Sequence, residues 1–200
     1  MRAMRVCVFG AGAVGGNIAV MLARAGADVS VLVRGATLQA VRARGLELHT
    51  PDGVVRANVR ASDDPRELGE QDAVLVTVKQ TALTASAPAI TALLGRDTPA
   101  VFLQNGIPWW YFHGQGNADE GKRIPELDPG DVLWNTVGPQ RAVGGVTSNL
   151  SGTTSVNNAA RYFGPPDSDY GNAIRDRASL INFADDSPFV FAAGDGISVP

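Results

Sequence analysis

The pattern of hydrophobic and polar positions in the first 35 residues changes from one typical of a strand to one typical of a helix and back again. Residues 5–9 (RVCVF) form a short apolar run, typical of a strand buried on both faces of a parallel sheet. After this strand, apolar residues recur at helical spacing at Val14, Ile18, Met21, Leu22 and Ala25. The helix that they predict should end at Gly26. Residues 27–34 (ADVSVLVR) return to a strand. Together these segments predict a βαβ unit.

Further strands are predicted by short β-type runs. They cover residues 46–50 and 54–60, on either side of a turn, and then 72–79 and 99–106. Since these runs alternate with helical segments, the expected fold is α/β, a Rossmann-like, doubly wound and mostly parallel sheet.

The helices between these strands are predicted from caps and apolar spacing. One runs from a capping Thr37 to Arg44 and is ended by Gly45. A short one covers 62–68, with Pro65 in its first turn. The third covers 81–94, where Pro88 is expected to kink or interrupt it.

The pattern weakens after Gly106. We expect one dinucleotide-binding domain over 1–200, with 107–200 as its less clearly patterned half. The expected elements there are a long structured loop over 107–131, a helical turn over 131–138, β structure over 141–164, a helix over 168–184 and a last strand over 189–198.

Composition excludes several classes of protein. The 200 residues are 44% hydrophobic and 18% charged with a net charge of −3, which favours an ordinary globular enzyme or module over a nucleic-acid or membrane binder. No apolar run approaches the roughly 20 residues of a membrane span, so we expect a cytoplasmic protein. The single cysteine, Cys7, lies in an apolar run and is expected to be a buried core thiol in a reducing compartment. No metal site is predicted.

A glycine-rich turn follows the first predicted strand. Gly10, Gly12 and Gly15 match the G-x-G-x-x-G pattern, in which the glycines permit a tight turn, close approach of a pyrophosphate and close packing of helix on strand. The helix that begins here offers free N–H groups and a positive dipole end to phosphates. We therefore expect residues 10–15 to bind a dinucleotide: Gly10, Ala11, Gly12, Ala13, Val14 and Gly15. The alternative is a purely structural turn.

Arg34 stands where the fold recognises the ribose of the cofactor. It lies 19 residues after Gly15, at the end of the second predicted strand, where NAD-binding chains carry an acid for the ribose 2′-hydroxyl. A guanidinium instead forms charge-assisted bonds to a 2′-phosphate, which predicts NADP(H). Thr37, Arg42 and Arg44 are close enough in sequence to help. The alternative is a solvated loop arginine.

Two further candidates, for catalysis as well as for cofactor binding, end predicted strands. Lys79 ends the strand over 72–79, and Asn105 ends the next one, so both should lie where ligands gather in open α/β sheets. The alternatives are a surface lysine and the asparagine of an Asn-Gly turn. The aromatic stretch 109–112 (WWYF) is expected to pack the loop or meet a partner rather than to catalyse, and a lid over the substrate is the alternative. His113 beside it is a weaker catalytic candidate. His49, in the predicted hairpin, is a weaker candidate still.

Four motifs in this order and spacing resemble the ketopantoate reductase (2-dehydropantoate 2-reductase) family: GAGAVGG, VLVR, VTVKQ and FLQNGI. The resemblance covers residues 4 to about 107 and continues weakly over 141–166. It implies an oxidoreductase that uses NADPH to reduce a 2-keto acid, 2-dehydropantoate, to (R)-pantoate in pantothenate and coenzyme A biosynthesis. It also implies that Arg34 contacts the 2′-phosphate, that Lys79 lines the cofactor cleft and that Asn105 lies near the nicotinamide and the substrate.

The resemblance also implies a second, all-helical domain with a lysine that donates the proton. No lysine follows Lys122, so we expect this domain to be absent, the chain to be truncated, and turnover to be slow or nil despite cofactor binding. A separate helical domain or a homo-oligomer is the expected partner. Two alternatives stay open, a non-catalytic NADP(H)-binding module and a reductase of another 2-keto acid.

Overall fold

Strands and helices alternate along residues 2–50 and 53–145, the part of the chain that the computed structural model describes. The strands are β1 Arg5–Phe9, β2 Asp28–Leu32, β3 Leu46–Thr50, β4 Gly53–Ala57, β5 Arg60–Ser62, β6 Ala73–Val76, β7 Ala100–Leu103 and β8 Ala142–Gly145. The helices are α1 Ala13–Arg24, α2 Gly35–Arg44, α3 Pro65–Leu68, α4 Leu83–Thr91 and α5 Val132–Thr136.

Six of these strands form one parallel sheet in the order β5-β2-β1-β6-β7-β8. The chain first builds outward from β1 through β2 to β5 and then crosses back to β6 on the other side of β1. The direction of winding therefore reverses between β1 and β6, which is the topological switch point of a doubly wound sheet. This confirms the predicted fold. The remaining two strands, β3 and β4, form a separate antiparallel hairpin, which lies between β2 and β5 along the chain.

The sheet is buried on both faces. Val6 and Val8 of β1 point into one core with α1, while Cys7 and Phe9 of the same strand belong to a second core with α4 and α5. Such two-sided burial explains why β1 reads as an uninterrupted apolar run. Cys7 is fully buried, as predicted, and this burial raises the pKa of its thiol to about 12.

The helices predicted within the described residues are confirmed with shifted ends. Ile18 and Leu22 of α1 are buried as expected, whereas Ala25 is exposed beyond the end of the helix. The prediction that Thr37 caps α2 is wrong, because α2 already begins at Gly35 and Arg34 is its N-cap. It ends as predicted at Gly45, whose φ of 73° suits glycine.

Three other local predictions have mixed outcomes. Asp64 caps α3 by accepting a hydrogen bond from the backbone N–H of Arg66 at 2.9 Å, and Pro65 occupies the first turn as predicted. Helix α4 runs through Pro88 without interruption. The predicted pair of strands around a turn is confirmed as the β3–β4 hairpin, but the second strand ends at Ala57 rather than at residue 60, because the chain then joins the main sheet as β5.

The loop after β7 is packed by aromatic rings. Trp109 is 1% exposed, and its ring centroid lies 5.7 Å from that of Phe102 and 6.3 Å from that of Trp134. The predicted packing role is thereby confirmed for Trp109, and Trp110 packs against the same core, whereas Tyr111 is exposed. The β structure expected beyond residue 145, and the helix and strand expected over 168–184 and 189–198, lie outside the described residues. Within the described ranges, no helix has the length and apolar character needed to cross a bilayer.

Candidate functional site

Four neighbouring strands end at the same edge of the sheet, and a predicted site residue follows each of them. Gly10 follows β1, Arg34 follows β2, Lys79 follows β6 and Asn105 follows β7. Because the strands are parallel and adjacent in the order β2-β1-β6-β7, their carboxyl ends lie side by side. The structure therefore brings these four positions together around the switch point, where open α/β sheets bind ligands.

The turn after β1 is packed closely against its neighbours. Gly10 has a φ of 96°, and a Cβ at this position would lie 2.9 Å from Cγ1 of Val78. A Cβ at Gly15 would overlap both the carbonyl oxygen of Gly10 and the hydroxyl of Thr77. Glycine at 10 and 15 is thus required by the fold itself, in agreement with the packing role predicted for Gly15.

Gly12 is different, because the fold does not require a glycine there. Its φ of −73° and ψ of −166° are open to any residue, and no atom beyond its own local backbone lies within 4 Å of a Cβ built on it. Gly12 is exposed and is the N-cap of α1, where no side chain caps the helix and no acid occupies the first turn. Open space therefore lies against free N–H groups at a positive helix end, which fits a pyrophosphate.

The side chains between these glycines face in different directions. Ala11 and Val14 pack partly against the core around β1 and α1, while Ala13 is exposed. Any contribution from Ala11 and Val14 to a bound phosphate would therefore come from the main chain. The backbone N–H groups of the first helical turn are the natural donors.

Thr77 holds the turn in shape, and the sequence analysis missed it. Its backbone N–H donates to the carbonyl of Phe9 at 3.0 Å, and its hydroxyl donates to the carbonyl of Gly10 at 2.6 Å. The end of β6 is thereby fixed to the turn after β1. A threonine directly after a buried apolar run was a recoverable clue, since its hydroxyl must find a partner at the strand end.

Arg34 is exposed at the start of α2, and the first turn of that helix carries no acid. Of the helpers suggested by sequence, Arg42 is engaged elsewhere: its Nε donates to the carbonyl of Ala61 at 3.1 Å, and its guanidinium lies 3.6 Å from Glu67. Thr37 lies inside the first turn of α2. Arg44 lies in the last turn of α2, away from its N-terminus. Arg34 is therefore the arginine that follows β2, at the position where Rossmann folds recognise ribose.

Lys79 and Asn105 are both exposed, and one side chain links their segments. Gln104, which precedes Asn105, donates from Nε2 to the carbonyl of Val78, which precedes Lys79, at 2.6 Å. The carbonyl of Lys79 in turn accepts from the N–H of Ala82 at 2.9 Å, at the start of a 3-10 turn. Sequence reasoning also missed Gln104.

The remaining polar candidates belong to the loop rather than to the strand ends. The ring of His113 packs 5.9 Å from that of Trp134, and its Nδ1 lies 4.0 Å from Glu120. Lys122 forms an ion pair with Asp119. The side chain of His49 lies outside the described residues. Across residues 2–50 and 53–145, no group of three or more histidine, cysteine or acidic side chains is arranged to hold a metal ion.

Comparison with known proteins identifies relatives of this chain. Residues 6–108 match the family model described as ketopantoate reductase PanE/ApbA. The 2-dehydropantoate 2-reductase of Mesorhizobium japonicum is 46% identical over 144 residues, which are 72% of this chain and 44% of that protein. The protein of the same name from Caulobacter vibrioides is 33% identical over 102 residues, 51% of this chain and 33% of that protein.

A solved structure shows the same fold. The protein from Ralstonia solanacearum, which carries a provisional ketopantoate reductase name, is 39% identical with a TM-score of 0.70, and the match covers 74% of this chain and 46% of that one. The chain thus spans less than half the length of each of these three proteins.

Proposed function

The chain belongs to the ketopantoate reductase family, and from that membership we propose that it binds NADP(H) as the cofactor side of a reductase that converts 2-dehydropantoate to (R)-pantoate. That reaction leads toward pantothenate and coenzyme A in the cytoplasm. The observation that carries the proposal is Gly12. It is a glycine that the fold does not require, and it borders open space at the uncapped N-terminus of α1.

The preference for NADP(H) rests on charge at the end of β2. Arg34 is an exposed cation there, and no acid in the first turn of α2 opposes a 2′-phosphate. An acid at this position would instead pair with a ribose hydroxyl and repel the phosphate. Arg34 is therefore assigned to the 2′-phosphate.

The chemistry requires two events at the keto group. When bound, the nicotinamide supplies the hydride that reduces the keto carbon. The Asn105 amide both donates and accepts hydrogen bonds, which suits a keto oxygen and a carboxamide in the same cleft. Lys79 supplies a positive charge beside the cofactor. Delivery of the proton to the keto oxygen is assigned to the second domain that the family resemblance implies, rather than to Lys79 or Lys122.

The test is a titration followed by an assay. The purified chain should bind NADPH more tightly than NADH in calorimetric titrations. Oxidation of NADPH with 2-dehydropantoate is then followed by absorbance, with another 2-keto acid as a comparison substrate. If the chain bound neither NADPH nor NADH, the proposed cofactor-binding function would be refuted. Tight binding of NADPH without turnover, also after a separately expressed helical domain is added, would favour a non-catalytic NADP(H)-binding module.

A further inference from the structure

Gln104 joins the two strand ends that carry Lys79 and Asn105. Its half-buried side chain donates from Nε2 to the carbonyl of Val78 at 2.6 Å. This carbonyl belongs to the peptide group whose N–H is that of Lys79. Gln104 itself immediately precedes Asn105 in the chain, so a single hydrogen bond spans the two segments.

Other contacts fix the main chain on both sides of this bond. The backbone N–H of Gln104 donates to the carbonyl of Gly145 in β8 at 3.1 Å, which anchors Gln104 to its neighbouring strand. On the other side, the carbonyl of Lys79 accepts from the N–H of Ala82 at 2.9 Å. The carbonyls that flank the backbone N–H of Lys79 are thus both held by donors, and Gln104 supplies one of them.

We infer that Gln104 is a positioning residue that orients the Val78–Lys79 peptide and keeps Lys79 at a fixed separation from Asn105. The inference rests on the proposed function, because the value of a fixed separation lies in the ligand that the two residues share. Gln104 acts through Lys79 and is not assigned a contact with the ligand. Because the peptide group is planar, a hydrogen bond that holds the carbonyl of Val78 also fixes the N–H of Lys79 and limits the directions that the Lys79 side chain can take.

The informative variant is Gln104→Met, which keeps the length of the side chain and removes the donor. Gln115→Met is the matched control. Gln115 is also half-buried, and its Nε2 donates to a backbone carbonyl, that of Tyr111, at 2.8 Å, but it lies in the loop away from the strand ends. Both variants are made in the full 200-residue chain and also combined with Lys79→Ala. Thermal melting followed by circular dichroism verifies that each variant is folded.

Two measurements decide the matter. Hydrogen exchange of the amides over 79–82 needs no ligand, and Gln104→Met should speed it about 2- to 10-fold, whereas Gln115→Met should not change it. In titrations with NADPH, Gln104→Met should weaken binding about 3- to 10-fold, but by less than twofold when Lys79→Ala is already present. Such non-additivity is what a residue acting through Lys79 produces.

The outcomes separate this inference from the function on which it rests. Unchanged exchange over 79–82, or an equal loss of NADPH affinity with and without Lys79, overturns the positioning role. If the unmodified chain binds no NADPH, the proposed function fails. The exchange measurement then decides on Gln104 alone, and unchanged exchange in Gln104→Met again overturns its role.

Discussion

Replacing Gly12 by valine should remove cofactor binding while leaving the fold intact. No atom beyond the local backbone lies within 4 Å of a Cβ at Gly12, and its φ of −73° suits a branched residue. Exchanging a glycine at an N-cap for an aliphatic residue costs up to about 1 kcal/mol, and the reduced freedom of the unfolded chain offsets roughly 0.4–1 kcal/mol. The free energy of unfolding should therefore change by less than about 1 kcal/mol, and Tm by less than about 4 °C.

Binding should change far more than stability. The valine side chain would fill the open space against the first turn of α1, where the pyrophosphate is proposed to lie. Losing two charge-assisted hydrogen bonds of roughly 1.5–3 kcal/mol each would lower the affinity for NADPH more than about 100-fold. The same loss is expected for NADH, because both nucleotides share the pyrophosphate.

Gly15→Ala is the matched comparison in the same turn, and its expected result is the reverse. The added methyl group would overlap the carbonyl oxygen of Gly10 and the hydroxyl of Thr77, and a backbone carbonyl held in a turn cannot move cheaply. Overpacking of this kind costs about 1–3 kcal/mol or more. The expected fall in Tm is therefore several degrees, at roughly 2–4 °C per kcal/mol for a chain of this size.

The two variants are compared by thermal melting and by calorimetric titration with NADPH. The reasoning about Gly12 would be refuted by a Gly12→Val variant that is folded and binds NADPH within about twofold of the unmodified chain. A Gly12→Val variant that unfolds would equally contradict the open space seen in the structure. A fully stable Gly15→Ala variant would show that the turn is less tightly packed than described.

Three further predictions concern single residues. In paired titrations, Arg34→Ala should weaken the binding of NADPH about 10- to 150-fold and the binding of NADH less than twofold. Arg24→Ala, at the far end of α1, should change the affinity for neither nucleotide. Equal losses of affinity for the two nucleotides would contradict the assignment of Arg34 to the 2′-phosphate. The side-chain hydrogen bonds from Arg2 lower the pKa of Asp72 to about 2, so this carboxylate stabilises the fold above its unfolded pKa of about 3.9 and loses that effect as pH falls toward 2. Because Arg2 is largely exposed, Asp72→Asn should cost only about 1 kcal/mol at pH 7, and denaturant melts from pH 7 to 2 should show a shallower loss of stability in acid than in the unmodified chain. Cys7, whose pKa is raised to about 12, should react with a disulfide reagent at pH 8 only when the protein is unfolded, and stoichiometric labelling of the native chain would contradict its burial.

The elements that sequence predicted best are those whose pattern is local and repeated. Strand β1 and helix α1 each carry one unambiguous period, and the glycines at 10 and 15 mark a turn that the structure reproduces. The doubly wound order followed from the alternation of strands and helices. Gly12, Arg34, Lys79 and Asn105 all lie at the predicted edge of the sheet, because carboxyl ends of parallel strands must meet there.

What the sequence did not predict depends on tertiary context. Residue preference alone places the cap of α2 at Thr37, but Arg34, which follows β2, is already extended and the helix begins directly after it. Thr77 and Gln104 were missed because their partners lie 67 and 26 residues away in the chain. The periodicity of a sequence does not indicate which backbone carbonyl on another strand a side chain will hydrogen-bond.

The hydrogen bond from Thr77 to the carbonyl of Gly10 also bears on the order in which the protein acquires its shape. It joins segments 67 residues apart, so during synthesis the glycine turn emerges well before the strand that fixes it. The turn can reach its final geometry only after β6 has docked beside β1 and the crossover through β5 is complete. The nucleotide affinity proposed for this turn would therefore depend on a completed central sheet. A bound nucleotide should in turn slow the separation of β6 from β1, and not only reduce the motion of the turn itself.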